Sequence, residues 1–109
     1  MTPVRMTRGE VRWYRLPKPE KNRPVLILTR DTIIGHLNEV TIAPLTRTIR
    51  GIPTEVVLTE ADGVPTDCAV NCDHLQTVSK GKIGGVITTL SAEKMAEVGP
   101  AVRFALGFS

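Results

Sequence analysis

The stretch Ala43 to Gly51, APLTRTIRG, leaves an apolar run and at once presents Thr46, Arg47, Thr48 and Arg50. Hydroxyls and guanidiniums both donate hydrogen bonds to anionic oxygens, so their interleaving at a strand exit suits a phosphodiester. The same residues also read as an ordinary polar turn. A second apolar run, Val25 to Leu28 within NRPVLILTRD, carries a guanidinium at each mouth, Arg23 and Arg30. Plainer readings exist here too: Arg23 as a snorkelling surface residue and Arg30 as a partner for Asp31. If the two runs form neighbouring strands, their basic mouths can converge on one anion.

Other chemistries are poorly served. The chain has no Gly-rich phosphate loop, no G-x-S-x-G elbow, no H-E-x-x-H and no CxxC pair. Cys72, Asp73 and His74 are consecutive and would point alternately to opposite faces of a strand, which makes them, with Cys68, a poor metal set. No metal and no cofactor is expected. In an extended strand Cys68 and Cys72 stand about 13 Å apart, beyond disulfide reach, and read as small buried hydrophobes. His36 and His74 are far apart in sequence, and nothing in the spacing joins them into an acid–base pair.

These residues must be positioned by one domain spanning residues 1–109, a length that buries a core without metals or disulfides. Fourteen Lys and Arg against eleven Asp and Glu give a net charge of +3, which permits phosphate partners without requiring them. The distribution says more: Arg5, Arg8, Arg12, Arg15, Lys18, Lys21, Arg23, Arg30, Arg47 and Arg50 all fall in the first half, favouring a basic face. One Trp, one Tyr and two Phe argue against a base-stacking platform, so nucleic-acid contact would lean on charge. The opening MTPVRMTRGE has no apolar segment of the signal-peptide kind, and no run is long enough to cross a bilayer; a cytoplasmic protein without membrane contact is expected.

Short apolar runs separated by Pro, Gly, Asn and Asp predict a mainly β, β-rich α+β chain. Strands are expected near Glu10–Leu16, Val25–Thr29, Glu39–Pro44, Thr54–Leu58, Asp67–Asn71 and Leu75–Val78. In the first, Val11 and Trp13 would face inward and Glu10 and Arg12 outward. LPKPEKNRP follows as a stiff, charged connection, because its three prolines cannot join a ladder interior. A short helical turn is expected after Asp31. Near the C-terminus Ser91 suits an N-cap, Glu93 the first turn, and Met95, Val98, Val102 and Leu106 form a core-facing stripe. Pro100 within it predicts a kink near Gly99-Pro100 or two short helices.

The blocks RGEV-W, NRPVLILTRD, TIAPLTRTIRGIPTEVVL, DCAVNCDHLQTV and LSAEKMAEVGPAVRFALGF, in that order, resemble the MazF/PemK family of toxin endoribonucleases over essentially the whole chain. The resemblance implies a compact SH3-like or CcdB-like antiparallel barrel with a C-terminal helix, a homodimer, and metal-independent, sequence-specific cleavage of single-stranded RNA that inhibits translation and growth. It implies attack by a ribose 2′-hydroxyl, leaving a 2′,3′-cyclic phosphate and a 5′-hydroxyl. It also implies a MazE-like antitoxin whose disordered C-terminal tail wraps the toxin and blocks its RNA groove. Carried over by motif, Arg23 and Thr46 are the catalytic residues: Arg23 clamps charge and donates a proton to the leaving oxygen, Thr46 donates to a non-bridging oxygen. Arg30 flanks the same RNA-binding strand, Arg47, Thr48 and Arg50 grip backbone phosphates, and Asp73 and His74 read a base, with His standing where relatives carry Gln. Before Arg23, only KPEKN replaces a longer loop, as in a mycobacterial-type subgroup, and Glu20 is the candidate stand-in for the loop's acidic residue. Two competing readings on the same fold are a CcdB-like gyrase poison, disfavoured by the ending Gly107-Phe108-Ser109 in place of Trp-Gly-Ile, and an RNA-binding barrel without chemistry.

Overall fold

The run from Val25 to Leu28 is unbroken because the strand it forms is buried on both faces. In the computed structural model, which describes residues 5–17 and 19–108, β2 (Arg23–Ile27) lies between β1 (Glu10–Tyr14) and β3 (Glu39–Thr46). Lys18, residues 1–4 and Ser109, on which some of the sequence expectations fall, lie outside the described residues. Leu26 joins Ala43, Leu45 and Val98 in one core cluster; Val25 and Ile27 join Val40, Ile42 and Ile34 in another. The first cluster is covered by α2 (Ala92–Leu106), the second by the short α1 (Asp31–Ile34) that follows β2 as expected.

The strands are antiparallel, in the order β4 (Glu55–Leu58), β5 (Cys68–Asn71), β3, β2, β1 and β7 (Ile83–Thr89), with β6 (Gln76–Ser79) also on β3. The expected mainly β architecture with a C-terminal helix is therefore the one adopted. β3 changes partner along its length: Glu39 to Ile42 pair with β6, and Leu45 and Thr46 pair with β5. Pro44 stands at the changeover, where its missing N–H interrupts neither ladder. A 3₁₀ turn, Cys72–His74, separates β5 from β6 opposite that point.

Several expectations are corrected. β7 is absent from the expected strands: IGGVITT carries two glycines and fully buries only Ile83, so it lacks the apolar alternation of a strand. Beside it, β1 faces differently from the simple alternation. Register shifts between Val11 and Arg12 and between Arg12 and Tyr14 turn Arg12 inward, 5% exposed, and leave Trp13 41% exposed. β2 reaches back to Arg23, so Pro24 lies within a strand rather than in the connection, ahead of the first β2–β3 pair at Val25.

The C-terminal helix is neither split nor ended by its proline: α2 runs unbroken through Pro100. Pro100 is exposed, and the flanking Val98 and Ala101 are buried, so tertiary packing offsets the lost backbone donor. The Ser91 hydroxyl accepts from the Lys94 N–H at 3.1 Å as its cap, and Gly107, at φ +79°, closes the other end. Leu106, expected in the core stripe, is instead 54% exposed, while Met95 and Val102 pack against the core beside Val98.

Candidate active site

Antiparallel pairing fixes which strand ends meet. With Val25 opposite Pro44, the same register carried two residues on brings Arg23 level with Thr46. Both line an open cleft of about 720 Å³, and Arg47, Arg50 and His74 line it too. The two candidate catalytic residues and three of the candidate RNA contacts thus share one concavity.

The local geometry readies each group. Thr46, half-buried, accepts the Thr48 N–H at 3.1 Å on its Oγ1, which leaves the hydroxyl proton available to the cleft. Thr48 itself does not line the cleft; its contribution there is that N–H. Beyond it, one carboxylate oxygen of Glu55 accepts the N–H groups of both Arg50 and Gly51, at 2.9 and 3.1 Å, and Gly51 supplies the positive φ of +68° that the turn demands. The loop backbone is held by β4 while its guanidiniums stay outside. Among the described residues the ion pairs are Arg12 with Glu10, and Lys94 with Asp62 and Glu97, so Arg23, Arg47 and Arg50 face the cleft without carboxylate partners. Their summed field favours a polyanion.

The third wall is the turn after β5. Asn71 and His74 face the cleft, whereas Asp73 faces away: its carboxylate accepts the Thr54 hydroxyl at 2.6 Å. Thr54, 7% exposed, also accepts the Cys72 N–H through its carbonyl at 3.0 Å, so one buried threonine fastens the turn twice. On the far wall, Val64, Pro65 and Thr66 follow Gly63, at φ +91°. Thr88 of β7 rests against the bare Cα of Gly63 and donates its hydroxyl to the Asp62 carbonyl at 3.0 Å; a Cβ there would collide with it.

Cys68 lines the cleft and Cys72 belongs to the same core cluster, both free and buried. Burial, followed by Asp67 and Asp62, raises the Cys68 thiol above its ordinary pKa; burial, then Asp73, pushes Cys72 up to about 11. Neither is a thiolate near neutral pH, which fits the reading of both as apolar filling.

Two other candidates stand elsewhere. Arg30 is the residue before α1, at the opposite end of β2, and lines a separate groove with Arg8, Thr29, Thr77 and Leu106. Glu20 is exposed in the β1–β2 connection and does not line the cleft. Sequence reasoning missed Trp13, Lys21 and Asn22, all of which do. The signal for Trp13 was a lone tryptophan between Arg12 and Tyr14, concealed by the assumption of regular alternation.

Comparison with known proteins adds the family. The description PemK-like, MazF-like toxin of type II toxin-antitoxin system matches residues 7–106. The chain belongs to the PemK/MazF toxin family. A Mycobacterium tuberculosis relative named "Probable endoribonuclease MazF2" is 38% identical over 103 residues, covering 94% of this chain and 99% of that protein. Among solved structures, the M. tuberculosis toxin MazF-mt6 superposes with a TM-score of 0.83 at 35% identity, covering 92% of this chain and 98% of that one. An endoribonuclease from a mycobacterial species, solved in complex with its cognate antitoxin, gives a TM-score of 0.83 at 28% identity, covering 96% and 98%. The chain is a MazF-like toxin endoribonuclease of a toxin–antitoxin system.

Proposed function

We propose that the cleft cuts single-stranded RNA by in-line attack of a ribose 2′-hydroxyl on the adjacent phosphorus. The O2′–P bond forms, the P–O5′ bond breaks, and the products are a 2′,3′-cyclic phosphate and a 5′-hydroxyl. The observation that carries this reading is the meeting of Arg23 and Thr46 in one concavity. Arg23 enters the step as a cation, stabilises the negative charge that grows on the phosphoryl oxygens and hands a proton to the departing 5′-oxygen, to be reprotonated afterwards. Thr46, its oxygen already engaged by Thr48, donates its own proton to a non-bridging oxygen. Arg47 and Arg50 hold flanking phosphates, and Lys21 adds to the same electrostatic track.

The unpaired cations also suit an antitoxin of MazE type whose disordered C-terminal tail competes for the RNA groove, and the antitoxin complex of the mycobacterial structural relative supports such a partner. The toxin works as a homodimer of single-domain chains in the cytoplasm. Among the described residues no helix is long and apolar enough to cross a membrane.

The test is incubation of the purified protein with unstructured and structured RNA in EDTA, followed by mapping of the ends. Discrete cuts bearing 5′-hydroxyls are expected, lost about a hundredfold or more in Arg23→Ala and Thr46→Ala with folding intact. RNA retarded but uncut would leave a binding barrel without chemistry. Intact RNA with arrested gyrase would leave the poison reading.

A further inference from the structure

We infer that His74 is the general base that takes the proton from the attacking 2′-hydroxyl, an inference that rests on the RNA-cleaving reading of the cleft. Arg23 and Thr46 both donate hydrogen bonds, so the site as built still needs an acceptor for the 2′ proton. Of the cleft's ionisable side chains, Lys21, Arg23, Arg47 and Arg50 are cationic donors, and Cys68 is a buried thiol held in its neutral form. His74 alone among these lining groups is an imidazole, whose ring carries an acceptor nitrogen able to take up a proton.

Its mounting suits the role. The Cys72–His74 turn is pinned by the Thr54 hydroxyl on Asp73, by the Thr54 carbonyl on the Cys72 N–H, and by the Asn71 side chain on the Asp73 N–H at 3.1 Å. The imidazole makes no hydrogen bond among the described residues, so its nitrogens are open to substrate. The neighbouring carboxylate, Asp73, is engaged with Thr54 rather than with the ring. α2 packs against the same turn, Val98 and Ala101 sharing a core cluster with Cys72; the helix charges are Glu93, Lys94, Glu97 and Arg103, of which Lys94 is bridged to Asp62 and Glu97.

The step balances without a co-reactant. His74 accepts the O2′ proton as O2′–P forms; P–O5′ breaks and O5′ takes a proton from Arg23; protonated His74 then returns a proton to Arg23 through solvent, restoring both. This role differs from reading a base, which would alter where the RNA is cut rather than how the rate depends on pH.

The experiment is a kcat and KM profile from pH 5 to 8 on a single-stranded RNA with mapped cuts, for the unaltered protein, His74→Gln, His74→Ala and His36→Gln. The unaltered protein and His36→Gln should share a kcat that falls on the acid side as the general base is lost to protonation. His74→Gln should lose about a hundredfold in kcat, keep KM and melting temperature, and show no such limb. Added imidazole should restore His74→Ala, a second readout that stands even should Gln disturb the turn. A limb that persists in His74→Gln, a defect confined to KM, or a changed cut sequence at unchanged kcat would overturn the assignment while leaving the ribonuclease intact. Failure of the unaltered protein to cut any RNA would remove both.

Discussion

Two groups of arginines in this chain meet opposite fates. Around β1, Arg12 is 5% exposed and fully engaged: Nε on Glu10 at 2.9 Å, Nη1 on the Gly84 carbonyl at 2.9 Å and Nη2 on the Arg5 carbonyl at 2.9 Å. Arg8 likewise gives its Nε to the Leu28 carbonyl at 2.7 Å, and Arg15 gives Nη2 to the Gly81 carbonyl. In the cleft, the guanidiniums of Arg23, Arg47 and Arg50 find neither carboxylate nor carbonyl among the described residues. Residue type does not decide whether an arginine is engaged in the fold; the supply of acceptors around it does. Where strand irregularity exposes backbone carbonyls, a guanidinium stitches the fold together. Where regular strands end beside a tight turn whose carboxylate is already occupied by N–H groups, the guanidiniums are left without a protein acceptor.

The contrast can be broken from either side. Arg12→Ala should have the largest effect, about 3 kcal/mol of stability, because it strands a largely buried Glu10 and two carbonyls; a denaturant melt measures it, and activity per folded molecule should be preserved. An Arg12→Ala protein as stable as the parent would end the comparison. Arg23→Ala should do the reverse, losing about a hundredfold in cleavage, roughly 2.7 kcal/mol of transition-state stabilisation, with an unchanged melting curve. Next comes Trp13→Ala. Its exposed ring offers a face for one unstacked base, so about 1–2 kcal/mol of RNA affinity should be lost, read by fluorescence anisotropy on an uncleavable analogue. The smallest effect belongs to Arg50→Gln, which should lower the slope of log affinity against log salt by about one while scarcely changing which sites are cut.

What could be read from the sequence follows the same physics. β2 was legible because two-sided burial leaves an apolar run with no alternation to misread, and β3 because buried Val40 and Ile42 alternate with Glu39 and Thr41; that Arg23 and Thr46 share one cleft then follows from antiparallel adjacency. The facing of Arg12 and Trp13 was not legible, because a register shift depends on β7, and β7 is concealed by Gly84 and Gly85. Arg30 looks equivalent to Arg23 as the other mouth of one strand, yet the two ends of a strand open on different surfaces. Asp73 and His74 look like a unit; the hydroxyl of Thr54, 19 residues earlier in the chain, draws the first away and leaves the second in the cleft. Pro100 carries a strong local signal for a break that tertiary burial of Val98 and Ala101 outweighs.

The exchange of partners along β3 has a consequence for how such a toxin can diversify. Its first half is secured by β6 and its last residues by β5, so the Cys72–His74 turn sits at a joint between two independently braced ladders. Of its three residues Cys72 is core and Asp73 is tied to Thr54, so a change at His74 alone can alter what the cleft does to its ligand without loosening either brace, leaving the scaffold free to carry new specificities on one position.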